Sequence, residues 1–141
     1  MTPGERKQFL ADHRLCIVGY ARKAGPPAMT PVYYAMDGGD IIISTTRSRA
    51  KAKVIAGSPQ VSVCVLGEEQ PFPYLTVYGR GRIEDAGAVD AMMKVGGRMT
   101  GNPVPEAARL TRRSSPVLAT SRTARAMIGR YRCSSTRNSV K

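Results

Sequence analysis

Apolar and polar residues alternate with a period of two over much of this chain, which argues for strands rather than helices. The alternation is cleanest where Val61, Val63 and Val65 are interleaved with Ser62 and Cys64, the pattern of a half-buried strand. Residues 15–20 are continuously apolar and rich in β-formers, so they read as a buried strand. Lys23-Ala24-Gly25-Pro26 is turn chemistry, and residues 28–36 form the returning strand. At Asp37-Gly38-Gly39-Asp40 both central glycines accept positive φ, which predicts a hairpin into a third strand over 41–45. The longest strand spans 74–84, where Leu75, Val77 and Ile83 share one face with Gly79 and Gly81. Side-chain-free positions on an inward face let a strand bend as a closing barrel requires. A last strand falls within 116–131, weakly outlined because Ala and Thr dominate it.

Helical patterning is confined to short stretches. Thr2, Pro3 and Glu5 make a helix start with an N-cap, a proline at the first position and a capping box. Residues 47–56 carry Ala, Lys and Arg in a helix-friendly order, closed by Gly57-Ser58-Pro59. Residues 87–99 predict a further helix with Val89, Met92, Met93 and Val95 on its buried side, ended by Gly101-Asn102-Pro103. A single turn is expected at 106–112. No internal repeat or domain boundary is visible. One domain is expected over 1–132, and 133–141 reads as a disordered basic tail of Ser, Thr, Arg and Asn. About six antiparallel strands with a few short helices make a mainly β protein, better matched to a small barrel than to a sandwich.

Composition changes this picture in two respects. The chain has 141 residues with no Trp and two Phe, so its core rests on Val, Ile, Leu, Met and Ala. Its net charge is +12, which favours anionic partners. After Glu106 there is no acidic residue, while Arg109, Arg112, Arg113, Arg122, Arg125, Arg130, Arg132, Arg137 and Lys141 follow. Nucleic-acid binding through that stretch is disfavoured, because a base-stacking platform needs aromatics and Tyr131 is the only one beyond residue 100. Three widely spaced cysteines and one histidine exclude both a disulfide framework and a metal centre. No run approaches the roughly 18 apolar residues of a membrane span. The polar N-terminus at Gly4-Glu5-Arg6-Lys7 is unlike a signal peptide, so a cytoplasmic location is expected.

Candidate chemistry concentrates where the third strand gives way to a helix. Ser44, Thr45 and Thr46 end the strand, and Arg49, Lys51 and Lys53 follow within two turns. Hydroxyls at a helix start cap free N–H groups, which together attract anions. Cations beside that amide cluster make a phosphate cradle, and each opposes the helix dipole by about 0.3–1 kcal/mol unless an anion relieves it. The plainer alternative is a capped surface helix with solvated charges.

The segment from Pro31 to Thr46, followed by Arg49-Ala50-Lys51, resembles the pyridoxamine-5′-phosphate-oxidase-like split β-barrel superfamily. It is most similar to the flavin- and deazaflavin-dependent oxidoreductase branch, a likeness that covers roughly residues 5–85. Ser58-Pro59-Gln60-Val61-Ser62 and the stretch from Tyr74 to Gly79 match further motifs of that branch. The resemblance implies a split β-barrel working as a homodimer, with the cofactor between subunits. It implies that Arg49, Ala50 and Lys51 hold the cofactor phosphate and that Ser44, Thr45 and Thr46 line the phosphate and ribityl chain. Thr30, Pro31 and Val32 would run along the ring, with Phe72 and Tyr74 approaching from the second subunit. The implied activity is hydride transfer from a reduced deazaflavin, coenzyme F420, to an enone, quinone or tetrapyrrole. FMN is the alternative cofactor, and a non-catalytic cofactor carrier the alternative role. The acidic tail of the deazaflavin suits a +12 surface better than FMN does. Tyr33, Tyr34 and Tyr74 are candidate proton donors, each with a packing role set beside it.

Overall fold

The computed structural model describes residues 1–46, 48–70 and 72–102, together with the backbone of 123–136. The elements run α1 (Pro3–Asp12), β1 (Leu15–Tyr20), β2 (Ala28–Tyr33), β3 (Ala35–Asp37), β4 (Asp40–Thr46) and α2 (Ala50–Gly57). β5 (Gln60–Leu66), β6 (Tyr74–Glu84), α3 (Ala88–Thr100) and β7 (Thr123–Thr136) complete them. The fold is mainly β with short helices. Its strands form one antiparallel sheet in the order β2-β1-β5-β6-β7-β4-β3.

That order carries a geometric consequence. β2 and β3 lie at opposite edges of the sheet, yet only Tyr34 separates them in the chain. Seven strands laid flat at about 4.8 Å spacing would hold their edges about 29 Å apart. One intervening residue spans no more than about 7 Å. The sheet therefore curls until its edges approach at Tyr34, an arrangement consistent with a split barrel.

The expected strand over 28–36 is thus two strands, and among the described residues the sheet contains seven strands. The division falls at Tyr34, whose backbone N–H donates to Arg14 O at 3.0 Å, one rung beyond the Leu15–Tyr33 pair, before the chain passes to β3. Its ring is fully buried, and its hydroxyl donates to Leu10 O at 2.8 Å. Leu10 is in the last turn of α1, where carbonyls lack partners within the helix. Arg98 of α3 reaches the same helix end, donating from Nη2 to Ala11 O at 2.7 Å and also to His13 O, with its guanidinium over the Tyr34 ring. At the other end of α1 the predicted capping box is present, Glu5 N–H donating to Thr2 Oγ1 and Thr2 N–H to Glu5 Oε2.

Elsewhere the periodicity reads through cleanly. Val61, Val63 and Val65 face the core with Leu75, Val77, Val18 and Ile41. Gly38 and Gly39 both take positive φ in the β3–β4 hairpin. Gly81 is buried on the inward face, but its role is closeness rather than bending. A Cβ there would lie 2.7 Å from Ile55 Cγ2, so the glycine is where α2 packs onto β6.

Three expectations shift. The helix predicted over 47–56 begins at Ala50, because Arg49 N–H closes a turn onto Thr46 O first. α3 buries Ala88, Ala91, Met93 and Val95, while Val89 and Met92 are only half-buried. Small alanines at that spacing let the helix approach Ala35 and Ile42, which larger side chains would hold off. β7 continues to Thr136, past Cys133 where the tail was expected to begin. The turn expected at 106–112 and residues 137–141 lie outside the described residues.

Replacing Tyr34 by Phe leaves a buried carbonyl without its donor and is expected to cost about 1–3 kcal/mol. Gly81→Ala, which forces α2 off β6, is expected to cost a similar about 1–3 kcal/mol. Urea unfolding of both variants measures this, and a change below about 0.5 kcal/mol in either contradicts the packing assigned here.

Candidate functional site

Strand alternation decides where each residue of the β4–α2 junction points. Ile41 and Ile43 belong to the main core cluster, and Thr45 continues their face on the inner side of the curled sheet. Ile42 packs with Ala35, Ala91 and Val95 on the α3 side, so Ser44 and Thr46 project that way. The three hydroxyl residues therefore divide, and Thr45 alone enters the interior. It is 7% exposed, and its Oγ1 has no hydrogen-bond partner among the described residues. A buried hydroxyl left unpaired costs roughly 1–3 kcal/mol, which a ligand acceptor or donor would recover.

The hydroxyls do not cap α2 as the sequence suggested. Thr46 Oγ1 instead meets Ser48 Oγ at 3.2 Å, and Arg49 occupies the N-cap with no side-chain cap bond. Arg49 is exposed and Ala50 exposed beside it, whereas Lys51 is half-buried. Burial holds the Lys51 amine below the usual lysine range, and the neighbouring Arg49 guanidinium adds to the depression. Lys51 also interacts with Cys16, whose thiol burial pushes up to about 12. Cys16 is itself buried, opposite Val32 in the β1–β2 ladder.

β2 is divided in the same way. Thr30 and Val32 pair with the inward residues Val18 and Cys16, while Pro31 pairs with Ile17 on the outer side. Tyr33 pairs with Leu15 and is likewise exposed outward. Tyr74 is half-buried at the start of β6, and Phe72 is an exposed ring held at φ 53, a left-handed conformation unusual for a bulky residue. Non-glycine residues in such conformations store of order 1–3 kcal/mol and cluster at ligand clamps and contacts. The expected site residues thus form an inner group of Lys51, Thr45, Thr30 and Val32 and an outer group of Pro31, Phe72 and Tyr74. Arg49 and Ala50 stand at the rim. Of the candidate proton donors, Tyr34 has its hydroxyl occupied by Leu10 O and its ionisation pushed up by burial.

Charge is distributed as unevenly as shape. No acidic residue occurs in 13–36 or 41–67, the segments that build β1, β2, β4, α2 and β5. The acids are placed elsewhere, Asp37 with Lys94 and Asp40 and Glu84 with Arg82. Among the described residues Arg49, Lys51 and Lys53 have no carboxylate partner. A half-buried amine without a counter-ion, in the first turn of the helix that follows a strand ending in an orphaned hydroxyl, is chemistry suited to an oxyanion. The phosphate of a flavin-type cofactor fits it. Among the described residues no cluster of His, Cys, Asp and Glu would hold a metal ion, and no helix is long and apolar enough to cross a membrane.

A curled antiparallel sheet with short helices, and cations without carboxylate partners among the described residues at one strand-to-helix junction, defines a class of small mainly β proteins. Within it, the chain belongs to the pyridoxamine 5′-phosphate oxidase family, which it matches over residues 2–125. The family is one of flavin-binding oxidoreductases. No curated protein matches the chain in sequence. Among solved structures it is similar to the Rv2991 protein of Mycobacterium tuberculosis, with a TM-score of 0.80 and 20% identity, covering 96% of this chain and 84% of that one. An F420 reductase is similar at a TM-score of 0.71 and 19% identity over 91% of this chain and 94% of that one. A FAD and heme binding protein from Mycobacterium smegmatis is similar at 0.69 and 18%, over 94% and 71% respectively. At these identities the likeness speaks for the fold.

The depressed Lys51 predicts a pH signature in the ligand-free protein. The unfolded chain holds the lysine proton to higher pH, so stability gains from Lys51 as pH rises between its lowered value and the ordinary lysine 10.5. Cys16 acts oppositely, losing stability above the ordinary cysteine 9.0 because the unfolded thiol ionises first. Because the two groups are coupled, Lys51→Met is compared with its parent in a Cys16→Ala background, which removes the thiol from both. The advantage of the variant in melting temperature is expected to shrink from pH 8 to pH 10.5, and a pH-independent difference contradicts the burial of the amine.

Proposed function

We propose that the protein is an oxidoreductase that holds a deazaflavin of the F420 type, with FMN the alternative, and passes a hydride to an electron-poor small molecule. The observation that carries this reading is the half-buried Lys51 amine, with no carboxylate partner among the described residues, six residues along the chain from the orphaned Thr45 hydroxyl. When bound, the reduced deazaflavin supplies the hydride, and the acceptor is an enone, quinone or tetrapyrrole. Lys51 and Arg49 would neutralise the phosphate, with the Thr45 hydroxyl completing its hydrogen bonds. Thr30, Pro31 and Val32 would flank the ring, and Ser44 and Thr46 would lie beside the chain that links ring to phosphate. The chain's lack of acids around the cleft supports the more anionic deazaflavin over FMN.

The proposed working form is a homodimer with the cofactor between subunits. Its support is the outer face of β2-β1-β5-β6, where the ladders set Pro31, Ile17, Cys64 and Thr76 in one row and Met29, Gly19, Ser62 and Tyr78 in the next. Met29 is 70% exposed and Tyr78 52%, with Leu15 and Leu66 open on the same face. A groove of about 830 Å³ runs along it. Contiguous exposed apolar side chains of this kind mark association surfaces. Phe72 and Tyr74 border that face, placed to reach a partner's cleft. Two free cysteines, Cys16 and Cys64, accord with a cytoplasmic location.

Fluorescence titration of the purified protein with F420 and with FMN tests the cofactor, and sedimentation the dimer. Micromolar or tighter binding of F420 in preference to FMN is expected. Arg49→Ala and Lys51→Ala should each weaken it by about 1.5–3 kcal/mol, the worth of a charge-assisted bond, with the fold unchanged. An unaltered affinity in the double variant overturns the assignment. Tight binding without turnover across quinones, enones and tetrapyrroles would make the protein a carrier.

A further inference from the structure

A second cationic feature stands apart from the phosphate-binding residues. The turn between β1 and β2 and the first turn of α2 enclose a cavity of about 510 Å³. Tyr20, Arg22, Lys23, Ala24, Ala50 and Val54 line it, and no acidic side chain does. Ala50 stands between Arg49 and Lys51, so the cavity adjoins the phosphate cradle directly. Its small residues Ala24 and Ala50 leave the space open. Arg22 and Lys23 have no carboxylate partner among the described residues, although like charges at Arg49 and Lys51 stand nearby. Five cations are thus gathered on two adjoining segments without an acid in either. Such an arrangement repels itself in the free protein, and an extended anion is what relieves it.

We infer that this cavity is a second anion subsite, in which Arg22 and Lys23 receive an anionic extension of the cofactor beyond its first phosphate. The inference rests on the cofactor reading above and adds to it a ligand class. The cofactor continues past the phosphate as a charged chain, either the second phosphate of a dinucleotide or the carboxylates of an oligoglutamate tail. Arg22 supplies a planar fork that pairs with either group, and Lys23 a mobile point charge. Tyr20, Ala24 and Val54 form an apolar wall along which the uncharged part of the chain lies. FMN, which ends at its phosphate, leaves the subsite untouched.

The test is titration of wild type and Arg22→Ala/Lys23→Ala with FMN, FAD and F420, each at low and moderate salt. Lys7→Glu on exposed α1 changes the net charge by the same two units far from the cavity and serves as the control. The double variant is expected to bind one extended cofactor about 10- to 100-fold more weakly, with a shallower salt dependence. Its FMN affinity should stay within about twofold of wild type, and Lys7→Glu should bind every cofactor as wild type does. A loss confined to FAD identifies the extension as a phosphate, and a loss confined to F420 as carboxylates. Equal losses for FMN and the extended cofactors overturn the inference while leaving the cofactor reading intact, as does an equal effect of Lys7→Glu. Unchanged affinity of the double variant for all three also overturns it. If wild type binds none of them, the cofactor reading falls and the subsite with it. Circular dichroism confirms that the double variant is folded, and Arg22→Lys/Lys23→Arg, which keeps both charges, should restore most of the affinity.

Discussion

Tyr34 is the constraint from which the rest of the architecture follows. One residue joins the two outermost strands of a seven-stranded sheet, so the sheet has to curl until those edges meet. The ring is fully buried, the hydroxyl ties to the end of α1 through Leu10 O, and the backbone N–H ties to Arg14 O. Arg98 then clamps the same helix end from α3, lying over the tyrosine ring. One side chain thereby links both sheet edges and two helices. β2 and β4 are brought near each other without a ladder between them. Thr45 stands near the end of β4, and Lys51 in the first turn of the helix that follows.

The cleft carries an electrostatic imbalance that the fold alone does not require. Lys51 is partly desolvated and faces Arg49 with no acid to offset either. Its lowered proton affinity is the thermodynamic trace of that cost. The imbalance is sustained by sequence, since 13–36 and 41–67 contain no Asp or Glu, and Asp37, Asp40 and Glu84 are engaged by Lys94 and Arg82. An anion bound here meets cations that no carboxylate offsets. The same logic extends to Arg22 and Lys23, which enlarge the cationic region along α2.

Alternating side chains give the sheet two faces with different work. The inner face of β1, β5 and β6 is a tightly packed set of Val, Leu and Cys16. The outer face of the same strands presents Leu15, Met29, Leu66 and Tyr78 to the surroundings. A one-residue slip in register would exchange the two sets, so the packing that builds the core also fixes which residues remain for association. Phe72, held in a left-handed conformation, sits where the outer face meets the β5–β6 loop.

Much of this was legible in the residues themselves. The valines at 61, 63 and 65, the Gly38–Gly39 hairpin, the Thr2–Glu5 capping box and the extent of β6 follow from local periodicity and turn chemistry, which act over a few residues. The cations Arg49 and Lys51 were visible as charges near a helix start, and the acid-free stretches around them were there to be counted. Local pattern does not report long-range contact, and that is where tertiary structure decided. Tyr34 reads as one more strand residue until its hydroxyl is seen tied to a carbonyl in α1 and the strands on either side of it pair at opposite edges of the sheet. Gly81 reads as a bend until Ile55 is seen 2.7 Å from its absent Cβ. Ser44, Thr45 and Thr46 read as equivalent cap hydroxyls, although strand alternation already separates Thr45 from the other two; that none of them caps α2 only the structure shows. Arg22 and Lys23 read as turn residues until the β1–β2 connection lies against α2. Sequence specifies which face of an element is apolar, but only the closed packing of distant elements determines which polar groups lose water, and function resides in those.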